Sequence, residues 1–310
     1  MKVKNAVPSV NGRLNVRGRY LCDESGNRVQ LRGISTHGIE WYPEYNTETF
    51  YREMKEDWHA NAMRLAMYTT GDKRAYIDDP ATVGEIVRQG IIFTGKADMY
   101  TLVDWHILGD NDPMMHVEEA KTFFDKISRE FAEDPHVIYE ICNEPNGDDV
   151  TWDVIKTYAN EVIPVIRKNS PDALILVGTP RWSQRVDLAA EAPLDYDNVM
   201  YVLHFYAATH KEELRDILRT ALSKELPLFV TEYGICEASG NGELNFEEAG
   251  KWLSLLDEND ISYCAWNFSN CDESGALLKK DCKKTSGFTE EDLNESGRWQ
   301  KKMLLSHFEA

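Results

Sequence analysis

Two glutamates, each near the end of a short apolar run, are the residues of this sequence best suited to chemistry. Glu144 lies in the run 137–145 and Glu232 in the run 227–234, and a Pro or Gly follows closely in each case. A carboxylate at the mouth of a buried strand is costly to desolvate, so chains seldom keep one there without use. Two such carboxylates can face one sugar bond as acid and nucleophile. The pattern predicts an enzyme that cleaves glycosides.

The separation of the two glutamates along the chain predicts where they lie. Positions 144 and 232 are 88 residues apart, and one βα unit takes roughly 30 residues. They therefore fall on strands four and seven of a barrel, across its mouth from one another. Spacing alone leaves open whether the anomeric configuration is retained or inverted, and which glutamate is the acid.

Eight apolar, β-branched or aromatic runs alternate with stretches of helical spacing, such as 117–131 and 151–167. The runs are 29–35, 60–68, 98–106, 137–145, 174–180, 199–207, 227–234 and 262–269. This alternation predicts an α/β protein with a parallel sheet, and eight units predict a closed (β/α)8 TIM barrel. The alternative, a doubly wound open sheet, is disfavoured because no Gly-x-Gly-x-x-Gly follows the first run and no Gly-x-x-x-x-Gly-Lys loop is present.

Alternation along these runs predicts which side chains share a face. The sets are Asp104 with His106; Glu140 with Cys142 and Glu144; His204 with Tyr206; and Val230 with Glu232. Any one of these polar residues alone is more often a satisfied core or rim group than a functional one. Four strands that end in the same way favour a site at the carboxyl end of a barrel.

The ends of the chain are predicted to complete a single domain over residues 1–310. Residues 1–28 are expected to form a small hairpin, from 12–16 and 20–22 with a turn at 23–27, that caps the bottom of the barrel. Residues 288–308 are expected to supply the last helix. We expect no separate carbohydrate-binding module, and therefore poor action on crystalline cellulose.

Composition excludes several classes of function. The net charge of −19 argues against nucleic acid as a partner, and no apolar run approaches the roughly 20 residues of a membrane helix. The N-terminus has no stretch of signal-peptide length, so the protein is either intracellular or a mature form whose leader was removed. The sequence contains no Cys-x-x-Cys motif and no His/Cys cluster, so it does not predict a structural metal site. We expect mostly reduced thiols, with one disulfide among Cys236, Cys264, Cys271 and Cys282 left open.

Together, six segments resemble a cellulase (endo-β-1,4-glucanase) of glycoside hydrolase family five, in the bacterial-type subfamily also found in rumen microbes. They are LRGISTHGIEWY (31–42), NAMRLAMY (61–68), VDWHILGDNDP (103–113), YEICNEPNG (139–147), VLHFYA (202–207) and VTEYG (230–234). Asn-Glu-Pro alone is a weak signal, but the set is highly specific and spans nearly all of the chain.

The resemblance implies catalysis by double displacement with retention. Glu144 matches the general acid/base and Glu232 the nucleophile, which must stay ionised at the working pH. The supporting residues implied by the family pattern are Arg64 and Tyr206 beside the nucleophile, Asn143 on the sugar 2-hydroxyl, His204 against the acid/base, and His106 at the rim. No cofactor or metal is implied, because two carboxylates suffice for the reaction.

Aromatic residues near strand ends are expected to bind sugar rings, because apolar ring faces stack well on the C–H faces of glucose. We assign to substrate binding Trp41, Tyr68, Trp182 and Trp266, and the resemblance implies a further rim residue there, His37. The alternative is that these residues fill the core, as we expect of Trp58, Trp105 and Trp252. Two departures from the family pattern are Cys271, where a lysine is usual, and Tyr233, where many relatives carry Trp. The first puts affinity for a non-reducing-side hydroxyl in doubt.

The sequence thus predicts an endo-acting β-1,4-glucanase that cleaves cellulose and mixed-linkage β-glucan. Two alternatives stay open: a mannanase or xylanase on the same machinery, and a catalytically silent glycan-binding barrel. A phosphate-binding barrel enzyme is disfavoured because no Gly-rich loop follows strands seven or eight. Because the substrate is a polymer, we expect a secreted, extracellular protein, and we expect a monomer.

Overall fold

The computed structural model describes residues 2–3 and 5–309. Positions 1, 4 and 310, which belong to the predicted domain, lie outside the described residues. The first part of the chain forms a small sheet and one short helix. Its elements are β1 (Lys2–Val3), α1 (Pro8–Asn11), β2 (Asn15–Arg17), β3 (Tyr20–Cys22) and β4 (Arg28–Val29), with strand order β1-β4-β3-β2.

The rest of the chain is built around a closed barrel of parallel strands, which confirms the predicted (β/α)8 architecture. Its strands are β5 (Arg32–Thr36), β6 (Ala62–Tyr68), β7 (Tyr100–His106), β8 (Val137–Glu140), β9 (Ile175–Val177), β10 (Val199–Tyr206), β11 (Leu228–Gly234) and β12 (Ser262–Phe268). Consecutive strands pair in parallel, and β12 pairs with β5 to close the ring. A parallel ring places all the carboxyl ends of its strands at one mouth.

Helices connect the strands on the outside. They are α2 (Glu48–Glu56), α3 (Pro80–Lys96), α4 (Val117–Glu130), α5 (Trp152–Asn169), α6 (Pro180–Ser183), α7 (Val186–Glu191), α8 (Glu212–Ser223), α9 (Phe246–Glu258) and α10 (Glu295–Glu309), with 3₁₀ turns at Pro43–Tyr45 and Pro113–His116. Side chains cap several of them, as where Thr47 Oγ1 accepts from Phe50 N and Thr151 Oγ1 from Val154 N. Within residues 2–3 and 5–309 no helix has the length and apolarity to cross a membrane.

Two apolar clusters hold this architecture together. The larger lies between barrel and helices and includes Trp58, Trp105 and Trp252, each 0% exposed as expected of core residues. The second joins Leu14 and Leu21 of the N-terminal segment to side chains at the amino ends of the barrel strands. The small sheet therefore closes the bottom of the barrel, as predicted, and leaves the opposite mouth available for a site.

The bounds of the predicted runs differ from those of the observed strands, most of all at the first, the fourth and the fifth, where the run 174–180 contains only the strand Ile175–Val177. The first run divides at Gln30 and Leu31, so that Val29 belongs to the small sheet and Arg32 begins the barrel. At the division, Leu31 N donates to Ser262 Oγ at 2.9 Å, a side chain in place of a backbone acceptor, while Leu31 O still accepts from Tyr263 N at 2.9 Å. The fourth strand ends at Glu140, and residues 141–145 leave the strand geometry.

The predicted shared faces fail at two residues. Cys142 packs in the core between barrel and helices and does not join Glu140, because the strand has already ended. Val230 packs in that same outer core, whereas Glu232 faces inward, because the pairing of β11 shifts register between Val230 and Tyr233. A bulge of this kind places two successive residues on one side. Here it turns Thr231 and Glu232 together toward the barrel interior.

Candidate active site

A cleft of about 700 Å³ lies at the carboxyl ends of the barrel strands. Ten of the twelve residues predicted for the site line it: His37, Trp41, Tyr68, His106, Glu144, Trp182, His204, Tyr206, Glu232 and Trp266. Arg64 and Asn143 are 0% and 1% exposed and contact the lining residues from within the barrel. The structure thus brings all twelve predicted residues together in one region.

Glu232 has a hydrogen-bond donor on each carboxylate oxygen. Arg64 Nη1 lies 3.0 Å from Oε2, and the Tyr206 hydroxyl donates to Oε1 at 2.6 Å. Both neighbours are buried, so little water competes with them. Hydrogen bonds and positive charge directed at a carboxylate stabilise its ionised form. Both contacts suit the role of nucleophile that the sequence analysis predicts for Glu232.

Arg64 is itself fixed by carboxylates that the sequence analysis did not assign to the site. Glu140 accepts from Nε at 2.8 Å and from Nη2 at 3.0 Å, and Asp104 Oδ2 lies 2.9 Å from Nη2. Asn143 Oδ1 accepts from Nη2 at 2.7 Å. The planar guanidinium can serve all of these acceptors at once because its donors form a rigid fork. This network fixes the cation beside Glu232.

Glu144 faces a different kind of partner. Its Oε1 lies 2.9 Å from His204 Nδ1, and His204 Nε2 lies 2.8 Å from Thr231 Oγ1. The Thr231 hydroxyl donates to Glu140 Oε1 at 2.7 Å, so it has no second proton to give to the imidazole. It therefore accepts from His204 Nε2–H. The bulge in β11 is what brings this hydroxyl inside the barrel.

These partners determine where the proton between Glu144 and His204 lies. Burial and the cation of Arg64 hold the pKa of His204 well below its usual value, so the ring is neutral. A neutral ring with its proton on Nε2 presents a lone pair at Nδ1. Glu144 must then donate, which requires a protonated carboxyl. Burial and the charge of Glu232 raise the pKa of Glu144 well above its usual range, in agreement with that state.

The two carboxyl groups lie close to each other across the cleft. One oxygen of Glu144 and one of Glu232 are within 4.8 Å, together with a ring nitrogen of His204. Retaining glycosidases hold their carboxyls about 5–5.5 Å apart, whereas inverting enzymes leave about 6.5–9.5 Å for a water. Oxygens this close leave less room than an inverting enzyme requires, which agrees with the retention that the family resemblance implies.

His106 is oriented by the strand that carries it. Its Nδ1 lies 2.6 Å from Asp104 Oδ2, so Nε2 is left as an acceptor, 3.3 Å from Asn143 Nδ2. Burial lowers the pKa of His106 to about 3, and burial raises that of Asp104 to about 8. Asn143 Nδ2 also donates to Ile107 O at 3.0 Å. Protein groups thus already hold both ends of the Asn143 amide in place.

Aromatic rings form one wall of the cleft. Trp41 and Tyr68 stack with centroids 4.0 Å apart, and the rings of His106 and Trp266 lie 5.4 Å apart and nearly parallel. Trp41 Nε1 donates to Arg74 O at 2.7 Å, which fixes that ring. These faces suit the C–H faces of a neutral sugar, and they are the surfaces predicted for it.

Trp182 lines the cleft apart from the aromatic wall just described, and its side chain is 47% exposed. It belongs to a turn in which Arg181, Trp182 and Ser183 have φ of 56°, 56° and 54°. Non-glycine residues rarely adopt this left-handed region. Trp182 N donates to Pro145 O at 3.0 Å and Ser183 Oγ to Asn143 O at 2.6 Å. The exposed ring is therefore tied to the segment that carries Glu144.

Sequence reasoning missed several residues of this region. Thr231 has no signal in the sequence, because strict alternation predicts it to face outward. Asp104 and Glu140 were placed on the inner face but given no function. Also missed were lining residues from loops, namely Tyr42, Lys73, Leu108, Gln184, His210, Ala238, Ser239, Gly240 and Glu273. Loop residues carry no periodicity from which a position can be predicted.

Glu40 is a further buried carboxyl beside the site. It is 4% exposed; its Oε1 accepts from Tyr68 N at 3.1 Å, and its Oε2 has no partner among the described residues. Burial raises its pKa to about 8.

The cysteines, all within the described part of the chain, are free thiols: Cys22, Cys142, Cys236, Cys264, Cys271 and Cys282. Cys271 lines the cleft, so this departure from the family pattern lies in the region predicted to bind substrate.

Comparison with protein families matches residues 22–272 to the model of the cellulase family, glycosyl hydrolase family 5. Among curated proteins, endoglucanase A of Butyrivibrio fibrisolvens is 46% identical over 93% of this chain and 67% of its own length. An endoglucanase of Clostridium saccharobutylicum is 41% identical over 98% of the chain and 67% of its own length. The chain thus spans about two thirds of these relatives.

Solved structures of similar proteins have the same fold. The catalytic domain of an endoglucanase from Thermobifida fusca, determined in complex with cellotetraose, is 38% identical with a TM-score of 0.92. The superposition covers 97% of this chain and 100% of that one. A second cellulase is 43% identical with a TM-score of 0.91, over 95% of this chain and 92% of its own.

Proposed function

The chain belongs to the cellulase family of glycosyl hydrolases, family 5, and we infer that it is an endo-β-1,4-glucanase acting by retention. The observation that carries the inference is the pair of carboxyls of unlike character, Glu144 and Glu232, with oxygens within 4.8 Å in an open cleft. One is held protonated against a neutral imidazole, and the other accepts from a cation and a phenol. These are the two states that double displacement requires.

In the first step, Glu232 attacks the anomeric carbon while Glu144 protonates the glycosidic oxygen. The bond from that carbon to the leaving sugar breaks, and a bond to the Glu232 oxygen forms. In the second step, the Glu144 carboxylate takes a proton from water, whose oxygen attacks the same carbon and releases Glu232. His204 acts before and after these steps, because its Nδ1 lone pair accepts from the protonated carboxyl of Glu144 and orients it; the same proton leaves that bond for the glycosidic oxygen in the first step and is replaced from water in the second.

Sugar platforms on both sides of the carboxyls support attack within a chain. Trp41 and Trp266 lie in the cleft on the side of β5 and β12, whereas Trp182 follows β9. We propose that an extended neutral glucan lies across all three and places an internal bond between Glu144 and Glu232. The relatives named above as endoglucanases, and the cellotetraose bound by one of them, support this class of substrate.

The test follows product formation on several polymers. With carboxymethyl-cellulose and mixed-linkage β-glucan, viscosity is expected to fall much faster than reducing ends appear, and rates on mannan and xylan are expected to be far lower. Proton NMR of early products from cellopentaose is expected to show the β-anomer first. An α-anomer as first product would contradict retention, and a faster rate on mannan or xylan would contradict the substrate.

We also propose that the protein acts outside the cell and as a monomer. The proposed substrate is a polymer that does not cross a membrane, and the cleft described above is lined by residues of one chain. Activity in the culture fluid of the source organism tests the first point, since activity confined to washed cells contradicts it. Light scattering tests the second, with 35.6 kDa expected for this chain.

A further inference from the structure

Three side chains at one end of the cleft take no part in bond cleavage but form a compact group. His37, Cys271 and Glu273 each offer one ligand atom, and these atoms lie within 4.8 Å of one another. His37 follows β5, and the other two follow β12, which is the neighbour of β5 in the barrel. All three line the cleft. The group is therefore reachable from solvent and held by adjacent strands.

We propose that His37, Cys271 and Glu273 form a binding site for a thiophilic divalent cation such as Zn²⁺ or Cd²⁺. Thiolate, imidazole and carboxylate are the three ligand types that zinc takes in proteins, and cations of this kind favour a sulfur ligand. Three protein ligands leave a fourth position open. Because the group lines the cleft, that position faces the space where substrate binds.

The distance between the two ligands on the β12 loop already suits such an ion. Cys271 Sγ donates to Glu273 Oε2 at 3.4 Å. Two ligands at about 2.3 Å (S) and 2.0 Å (O) from a tetrahedral Zn²⁺ lie roughly 3.5 Å apart. The cation would take the place of the shared thiol proton, which is released on binding. Ser269 Oγ, 3.1 Å from Sγ, can donate to the resulting thiolate.

The third ligand, His37, has to change the position of its ring proton before it can bind a cation. Gly38 N donates to His37 Nδ1 at 2.7 Å, so the neutral ring carries its proton on Nε2. Coordination through Nε2 moves that proton to Nδ1 and gives up this hydrogen bond, which is worth about tenfold in affinity. Lys73 Nζ, 4.9 Å from the centroid of Trp41, adds repulsion near the ring. The net charge of −19 acts in the opposite direction and attracts cations.

Occupation of the site has a consequence for the reaction. A cation on these ligands lies beside Trp41, whose ring is 5.4 Å from that of His37, and thus at a proposed sugar platform. Bound metal and bound glycan then compete for this end of the cleft. Zn²⁺ and Cd²⁺ bound at this group are expected to raise KM with little change in kcat, because neither Glu144 nor Glu232 is one of its ligands.

The experiment is a Cd²⁺ titration of the wild-type protein and its variants without substrate, so its outcome is independent of the proposed function. The wild type is expected to bind with the ultraviolet absorption of a thiolate–cadmium bond, at one ion per chain. Cys271→Ser should abolish that absorption and weaken binding by at least about tenfold, and Glu273→Gln should weaken binding by about tenfold. Circular dichroism establishes that each variant is folded.

The control is Cys22→Ser, which removes a thiol that is 3% exposed and lies in β3 of the sheet at the opposite end of the barrel. It should retain the absorption band and the affinity of the wild type. The proposal is overturned if the wild type shows no thiolate–cadmium band, if Cys271→Ser retains the band, or if Cys22→Ser loses it. Binding unaffected by Glu273→Gln overturns the assignment of the carboxylate as a ligand.

Discussion

Glu144 and Glu232 are chemically identical side chains on opposite sides of one cleft, yet their surroundings prepare them for opposite proton states. Glu232 accepts from a guanidinium and a phenol, whereas Glu144 faces the lone pair of a neutral imidazole. Both are nearly buried, so burial by itself does not separate them. The difference teaches that, in the proposed mechanism, the partner on each oxygen matters more than the depth of the pocket for which carboxyl acts as acid and which as nucleophile.

The two environments are connected through Glu140. One of its oxygens, Oε1, accepts both from Arg64, which serves Glu232, and from Thr231, which fixes the tautomer of the imidazole beside Glu144. Burial raises the pKa of Glu140 to about 7, against the attraction of Arg64. Protonation of this single carboxyl therefore weakens the support of both catalytic groups. Substitutions on each side test how far the two environments are independent.

The largest effect is expected from removal of the nucleophile. Glu232→Ala should lower kcat on carboxymethyl-cellulose by on the order of 10⁴-fold or more, because no other group can form the covalent intermediate. Calorimetry with cellotriose should show binding largely intact. Glu237→Ala, at an exposed carboxylate in the loop after β11, is the matched control and should retain wild-type turnover. Appreciable turnover by Glu232→Ala would reject the assigned nucleophile.

Removal of the acid should give a substrate-dependent loss. Glu144→Ala is expected to reduce the rate on cellulose derivatives by about 10²–10⁴-fold, the usual contribution of proton transfer. With dinitrophenyl cellobioside the first step needs no acid, so the glycosyl-enzyme should accumulate, and azide should restore turnover. Steady-state rates with and without azide measure this. Equal losses on both substrates, with no rescue, would mean that Glu144 is not the proton donor.

A smaller effect is expected from changing the shape of the cation at constant charge. Arg64→Lys keeps a positive charge, but an ammonium cannot reach Asp104, Glu140, Asn143 and Glu232 together. Misplacement of the nucleophile should lower kcat by about 10²-fold, measured well below the melting temperature. KM should change little, because Arg64 does not line the cleft. A kcat within twofold of wild type would show that charge alone suffices.

The effect on the Glu144 side is expected to be a shift in pH dependence. Thr231→Val removes the acceptor for His204 Nε2–H, so the ring can carry its proton on Nδ1 and donate to the Glu144 carboxylate. That stabilises the charged form, lowers the pKa of Glu144, and moves the alkaline limb of kcat/KM to lower pH, with a loss of about tenfold at neutral pH. Thr231→Ser keeps the hydroxyl and should resemble wild type. Equal profiles for Val and Ser would exclude the proposed tautomer control.

How much of this was accessible from the sequence depends on the kind of residue. The barrel and the opposed glutamates followed from strand–helix alternation and from the 88 residues between positions 144 and 232. Arg64, and the role of His204 against the acid/base, came through the family resemblance, because alternation shows only which face a residue such as His204 shares and not what it contacts. The inward position of Thr231 depends on a bulge, which strict alternation cannot predict.

Side-chain conformation and loops account for the rest. The gap between the carboxyls depends on how residues 141–145 leave the strand, so the spacing of the two glutamates could not decide between retention and inversion, and only the resemblance implied retention. The left-handed turn at Trp182 contains no glycine that would have indicated it. Likewise, the proximity of His37 to Cys271 arises only because β12 closes against β5, more than 200 residues away along the chain.

The smallest effect on catalysis is expected from substitution of Glu40, a buried carboxyl without a catalytic partner. Its substitution should instead change the pH dependence of the free energy of unfolding. Between its unfolded pKa of about 4.3 and its folded pKa of about 8, the folded chain keeps a proton that the unfolded chain has lost. Stability therefore falls as pH rises through this window and stays lower above it.

Glu40→Gln keeps the acceptor for Tyr68 N but does not titrate. Its free energy of unfolding in urea should exceed that of wild type by ~2–4 kcal/mol at pH 8.5 and by much less at pH 4.5. Glu56→Gln, at an exposed position of α2, should show no such pH-dependent gain. A constant difference between wild type and Glu40→Gln at both pH values would mean that burial does not raise the pKa of Glu40.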